Sequence, residues 1–268
     1  MIVGLVSDKE KIESILELRF GEGIDYEKNY NIHPGQECIF LSSDKPTELT
    51  KMRSGLTPFW SKNEIIYHEA HLEGSNNKHF TKLGIVQDIA FRKPIRENRG
   101  LLPVDYFIVE SVSGIPYLVF LKEKKKRPIG LACIWDTWKK EITDPLKYGF
   151  AILTVPAYGK FKETGIQRMP VILNEYHYKK WVRPGIPLME ASQMLHYYAE
   201  KDFNAFPVSP EILKNSGNNK ALIEPKGNMI EIEKPEKKYI PESYHSKMKR
   251  KQERKDDSIP WGERKNNI

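Results

Sequence analysis

The chain has 268 residues, 39% of them hydrophobic, and a formal net charge of +7 at pH 7. This length allows one large domain, or one domain and a tail, with enough apolar residues for a substantial core. No apolar run approaches the roughly 20 residues that a membrane span needs, so we expect no membrane insertion. The basic charge favours a polyanionic partner but does not prove one, because many solvated proteins are also basic.

The two cysteines, Cys38 and Cys133, lie inside apolar runs and do not have the spacing of metal ligands. Buried free thiols are typical of a reducing compartment, so the sequence predicts a cytoplasmic protein, associated with the nucleoid if it binds DNA. We expect no metal, no cofactor and a monomeric state.

In chain order, the first predicted element is a helix from about Lys9 to Phe20, preceded by the capping-box spacing Ser7-x-x-Glu10. Apolar runs and helical spacing then predict a strand at 37–41, helices at 78–91, 174–182 and 189–201, and a hairpin formed by 115–121 and 128–135.

The loop of the predicted hairpin, 122–127, has the sequence KEKKKR. Its five positive charges could hold phosphate groups. They could equally keep a turn solvated, and the sequence leaves both interpretations open.

Residues 150–173 contain two apolar runs, 150–155 and 169–173, which predict two buried strands. The connection between them is polar and aromatic, and Arg168 stands immediately before the second strand. Two buried strands that hold such a loop often present a site, although a plain strand–loop–strand connection is the simpler interpretation.

Within this stretch, 150–154 (FAILT) and 168–173 (RMPVIL) resemble the signature of the SRAP family, SOS-response-associated peptidase domains that attach covalently to abasic sites in single-stranded DNA. Weaker matches follow the family's order at 30–35, 53–60, 65–73, 100–107 and 130–135. The resemblance spans about 1–225 and implies an α+β fold with a curved antiparallel, β-barrel-like core flanked by helices. We expect this domain to occupy 1–226 and to be followed at 227–268 by a disordered, charged, basic tail.

The same resemblance indicates that the family's chemistry is missing. The family uses an N-terminal Cys, whose thiol and α-amine close a ring on the abasic aldehyde, together with an Asn, a Glu and a His. Those places hold Ile2, Glu69, Val109 and Ile166. We therefore expect no catalytic residue of the family set, no thiol-dependent cross-link, and a catalytically inactive member.

The resemblance also implies a DNA groove, with single-stranded or damaged DNA as the partner and the DNA damage (SOS) response as the setting. Arg168 would take a phosphate and Trp60 would stack a base. The matched groove positions are Asn31, Pro34, Gly35, Trp60, Thr154 and Arg168.

Two alternatives stay open. The first is an enzyme with altered chemistry that uses Glu69, His71 and Glu73, which alternate onto one face if 65–73 is a strand. No further strong ligand is evident, so this face is not predicted to hold a metal. The second is an interaction protein whose aliphatic pocket binds a peptide or nothing.

Overall fold

The computed structural model describes residues 1–74, 83–195 and 202–230, all of which belong to one compact unit. The strands in these residues are β1 Ile2–Leu5, β2 Arg19–Phe20, β3 Asn29–Ile32, β4 Glu37–Ser42, β5 Glu48–Ser54, β6 Glu69–His71, β7 Arg99–Val104, β8 Tyr106–Glu110, β9 Pro116–Leu121, β10 Ile129–Trp138, β11 Lys147–Pro156, β12 Arg168–Pro170, β13 Ile172–Leu173 and β14 Phe203–Pro207. The α-helices are short: α1 Lys9–Leu16, α2 Pro94–Glu97, α3 Gly159–Glu163, α4 Tyr178–Val182 and α5 Leu188–Ser192.

Five strands close into a ring at the centre of the fold. The strands β11, β10, β7, β4 and β5 pair antiparallel in that order, and β5 returns to β11 through a short parallel pairing, Gly149 with Arg53 and Phe150 with Ser54. A Cβ atom at Gly149 would lie 2.0 Å from the Gly55 carbonyl oxygen, so the ring closes where a side chain is absent. The ring interior is apolar, with the Phe40 and Phe150 rings stacked at 4.6 Å. The predicted α+β fold with a barrel-like core is confirmed.

A second sheet lies beside the ring, in the order β14-β9-β8-β1-β3. Ile2 pairs with Ile108, and Val3 pairs with Phe107. Because alternate residues of a strand point to opposite faces, Val3, Phe107 and Val109 enter the main core, whereas Ile2 and Ile108 join a smaller cluster that includes buried residues of 208–222.

The first helix is shorter than predicted. It ends at Leu16 because Glu17 adopts a left-handed backbone conformation, with φ 51°, and the next residues form β2. The predicted capping box does not form, since the Ser7 hydroxyl donates to Asp105 at 2.6 Å instead of capping the helix.

The predicted hairpin of 115–121 and 128–135 was wrong. Here β9 pairs with β8 and β14, whereas β10 pairs with β7, β11 and β13. The tight turn at 111–115 joins β8 to β9, so 122–127 crosses between sheets.

The remaining helices and the tail gave a mixed outcome. Asn174 accepts a hydrogen bond from the Tyr176 amide and starts the predicted helix as one 3-10 turn followed by α4. In the predicted helix 78–91, residues 78–82 lie outside the described part, and the rest forms a 3-10 turn at 84–87 followed by further turns. In the predicted helix 189–201, α5 covers only the start, and residues 196–201 lie outside the described part. The tail from 231 onward also lies outside it, and the Ile230 amide donates to the Ala205 carbonyl at 2.8 Å. Among the described residues, no helix is long and apolar enough to cross a membrane.

Candidate nucleic-acid interface

A charged face forms where β6 pairs in parallel with β11. The register aligns Glu69 with Ile152 and His71 with Thr154. Ala70 and Leu72 are buried, so the alternating Glu69, His71 and Glu73 project from the opposite side of the chain. The strand is shorter than the predicted 65–73, but its period is the one that the sequence indicated.

Arg168 is held against this face by four hydrogen bonds. Its Nη1 donates to Glu73 Oε1 at 2.6 Å and its Nη2 to Glu73 Oε2 at 3.1 Å, which makes the ion pair bidentate. Its Nε donates to the Thr154 hydroxyl and its Nη2 to the Thr154 carbonyl, both at 2.9 Å. The side chains of Arg168 and Glu73 are 22% and 11% exposed, so water screens this pair only in part. A phosphate would therefore have to compete with, or share the guanidinium with, Glu73.

Arg168 lowers the pKa of both titratable groups beside it, which keeps the carboxyl charged and the imidazole neutral. Burial alone would raise the pKa of Glu73, but the hydrogen bonds from Arg168 hold it below the usual value, and the carboxyl stays ionised. Partial burial and then the charge of Arg168 lower the pKa of His71, against the opposing influence of Glu73, Glu69 and Asp88. His71 is therefore neutral at neutral pH.

The α-amine of Met1 contributes a second ion pair to this face. It donates to Glu69 Oε1 at 3.1 Å, and the Met1 side chain is buried. Burial, followed by the charge of this amine, lowers the pKa of His68. The Nδ1 atom of His68 is buried and has no hydrogen-bond partner in the described part of the chain. With two ion pairs and a neutral His71, the charges on this face balance.

The family's catalytic positions do not all converge. Val109 and Ile166 are buried, and Ile166 forms a bridge with Ser111, two residues beyond Val109. Ile2 points to the other side of its sheet, whereas Val3 shares the face of Val109. Ile2 therefore does not share the face of Val109, because strand pairing fixes the face of each residue.

No other thiol replaces the missing one. Burial raises the pKa of Cys38 to about 12 and that of Cys133 well above its ordinary value, so both stay protonated and shielded. Across residues 1–74, 83–195 and 202–230, no group of three or more His, Cys, Asp or Glu side chains could hold a metal ion.

Two of the six predicted DNA contacts have no exposed surface. Asn31 is fully buried and donates from Nδ2 to the Asn215 carbonyl at 2.7 Å, and Thr154 is fully buried against Arg168. Neither side chain could touch a DNA strand unless the residues that cover it moved. Pro34 and Gly35 lie in a half-exposed turn, where Gly35 has a φ of +93° and its carbonyl accepts from Arg53.

Trp60 has an exposed aromatic neighbour, Phe59, that was not predicted from the sequence. Trp60 is 47% exposed and its indole nitrogen donates to the Ile89 carbonyl at 3.3 Å. Phe59 is 50% exposed, and the Lys93 ammonium lies 4.2 Å from its ring centre. Adjacent aromatic residues after Thr57-Pro58 were the available signal, but spacing alone does not distinguish a core ring from an exposed one.

Comparison with known proteins places this geometry in context. The model of the SOS response associated peptidase (SRAP) family matches residues 3–215 of this chain, so the match starts at Val3. The abasic site processing protein YoaM of Bacillus subtilis (strain 168) is 29% identical over 212 residues, covering 76% of this chain and 88% of YoaM. The abasic site processing protein YoqW of the same organism is 28% identical over 209 residues, covering 75% of this chain and 87% of YoqW.

The fold is also similar to solved structures. A crystal structure of a protein from Bacteroides thetaiotaomicron has a TM-score of 0.67 and 20% identity, and the match covers 84% of this chain and 98% of that one. At this identity the likeness shows the fold alone.

Proposed function

Because the chain belongs to the SRAP family, we propose that it binds single-stranded DNA, including strands with an abasic site, without forming a thiol-dependent covalent cross-link. The observation that carries this proposal is Arg168, a guanidinium fixed at the start of β12 by Thr154 and Glu73. A fixed guanidinium pays little entropy when it binds an oxyanion, because its fork geometry is already set.

Binding would proceed by exchange of anions at Arg168. A backbone phosphate approaching this face takes one or both of the Nη donors that now bind Glu73. Thr154 keeps Nε and the orientation of the guanidinium during that exchange. Trp60 and Phe59 offer exposed rings on which bases could stack, an interaction that needs no particular sequence.

The proposal excludes thiol chemistry because of the residues that occupy the core. Val3 and Ile166 place aliphatic side chains in the main core cluster, and the thiols of Cys38 and Cys133 are buried elsewhere in it. A thiazolidine ring needs an exposed thiolate next to an amine, which neither cysteine offers.

The test compares abasic single-stranded, intact single-stranded and duplex DNA of the same sequence at two salt concentrations. We expect single strands to bind more tightly than duplex, with an affinity that falls steeply as salt rises. A denaturing gel after incubation with abasic DNA should show no heat-stable adduct. A flat salt response would argue against DNA binding, and a heat-stable adduct would refute the lack of cross-linking.

One observation favours a second candidate, an enzyme with altered chemistry. His71 is neutral and shares one face of the chain with the carboxylates Glu69 and Glu73, so it could accept a proton there. Turnover of abasic DNA that is lost in His71→Ala, while that variant still binds DNA, would establish this activity.

A further inference from the structure

The connection that crosses between the two sheets, 122–127, carries a cluster of cations that has no role in the proposed function. We call it the basic end and define it as Lys11, Lys122, Lys124, Lys125 and Arg127. The Lys11 ammonium donates to the Lys124 carbonyl at 3.1 Å, so α1 adds its charge to the loop.

The loop backbone is fixed at both ends. The Lys122 amide donates to the Asp202 carbonyl at 2.9 Å, and residues 124–126 form a 3-10 turn. The Arg127 guanidinium lies 4.7 Å from the Phe120 ring centre, and its Nε donates to the Leu121 carbonyl at 2.6 Å. Cations on a fixed turn lose less conformational freedom on binding than cations on a flexible loop.

The loop holds a single acidic residue, Glu123, which pairs with Lys126 at 3.1 Å. Lys124 and Lys125 are exposed, and no carboxylate in the described part of the chain forms an ion pair with either of them. Holding like charges together costs free energy, and an anionic partner would offset that cost.

The basic end and the turn that lies near Arg168 are at opposite ends of β9. The turn 111–115 follows β8, and its Ser111 forms a bridge with Ile166, two residues before Arg168. This turn therefore marks the end of β8 and β9 that lies near Arg168. The basic end follows β9, whose six residues run antiparallel to β8 and span about 20 Å. A strand of DNA bound at Arg168 could reach the basic end only if it extended beyond the few nucleotides at the site.

We propose that the basic end is a second binding surface, for the phosphodiester backbone of the same DNA strand that Arg168 engages. This inference rests on the proposed function and adds a length requirement to it. Lys124 and Lys125 each contact a phosphate without reading the base, so the surface lengthens the binding site without adding sequence preference.

The experiment measures salt-dependent affinity for two single strands, about 4 and about 20 nucleotides long, of which the shorter is too short to span the distance from Arg168 to the basic end. The Lys124→Ala/Lys125→Ala variant is compared with Lys214→Ala/Lys220→Ala, which removes the same charge from exposed positions of another segment. We expect the first variant to lose about tenfold affinity for the long strand. Its slope of log affinity against log salt should flatten by about 1.4, the value for two phosphate contacts. The short strand should bind all proteins alike.

Equal affinity of both double variants for the long strand overturns the inference while leaving the proposed function intact. An equal loss on both strand lengths also overturns it, because the effect is then one of general charge. If Arg168→Gln leaves the affinity for both strands unchanged while the Lys124→Ala/Lys125→Ala loss persists, the proposed site at Arg168 fails, and the inference fails with it because the basic end was proposed to extend that site. Failure of both strands to bind overturns both proposals.

Discussion

Glu73 occupies both Nη groups of Arg168, at 2.6 and 3.1 Å, and so presents to the guanidinium the same pair of oxygens that a phosphate would. The residue proposed to bind DNA is thus already bound to an internal anion. The affinity for DNA on this face therefore depends on how much more strongly Arg168 binds a phosphate than it binds Glu73.

Glu73→Gln should raise the affinity for single-stranded DNA by about fivefold, or roughly 1 kcal/mol. The neutral amide competes less well for the guanidinium than a carboxylate does. Titration at low salt measures the effect. The control is Glu190→Gln, which removes an exposed carboxylate that pairs with Lys180. A loss of affinity in Glu73→Gln alone would mean that Glu73 orients Arg168 for DNA and does not compete for it.

The same ion pair predicts how stability depends on pH. The pKa of Glu73 is lowered in the folded protein from 4.5, so its contribution to the free energy of unfolding is complete above about pH 4.5 and is lost as pH falls through the folded value. The difference in thermal stability between the wild type and Glu73→Gln should therefore be largest near neutral pH and shrink in acid. Melting temperatures measured from neutral pH to about pH 3 check this. A constant difference would show that the ionisation of Glu73 contributes nothing.

Trp60→Ala should weaken single-strand binding by about 1–3 kcal/mol if a base stacks on the indole. Its effect on stability should be small because the ring is 47% exposed. The control is Tyr176→Ala, which removes a ring that is 83% exposed on another segment. Equal binding by the two variants would exclude Trp60 from the interface.

Gly149→Ala should destabilise the fold by about 1–3 kcal/mol or more, because the new Cβ would lie 2.0 Å from the backbone oxygen of Gly55 where β5 closes onto β11. Chemical denaturation gives the difference in unfolding free energy. Gly217→Ala is the matched control, since its Cβ would meet only a side-chain atom of Asn215, at 3.0 Å. Unchanged stability of Gly149→Ala would show that the ring can open at this pairing without cost.

The sequence by itself determined the strands at 37–41 and 150–155, the helix after Asn174, and the family. These follow from local patterns: apolar runs, a capping side chain, and motifs in a fixed order. The sequence also predicted that Glu69, His71 and Glu73 alternate onto one face, because the period of a strand is a local property.

Only the tertiary structure decided which residues meet. Ile2 and Val3 are adjacent in the sequence, and pairing with β8 decides which of them faces Val109. Glu73 and Arg168 are 95 positions apart, so no local pattern could show that the cation is already paired. Strand register and ion pairs between distant segments depend on how the sheets close, and that information is absent from any short stretch of sequence.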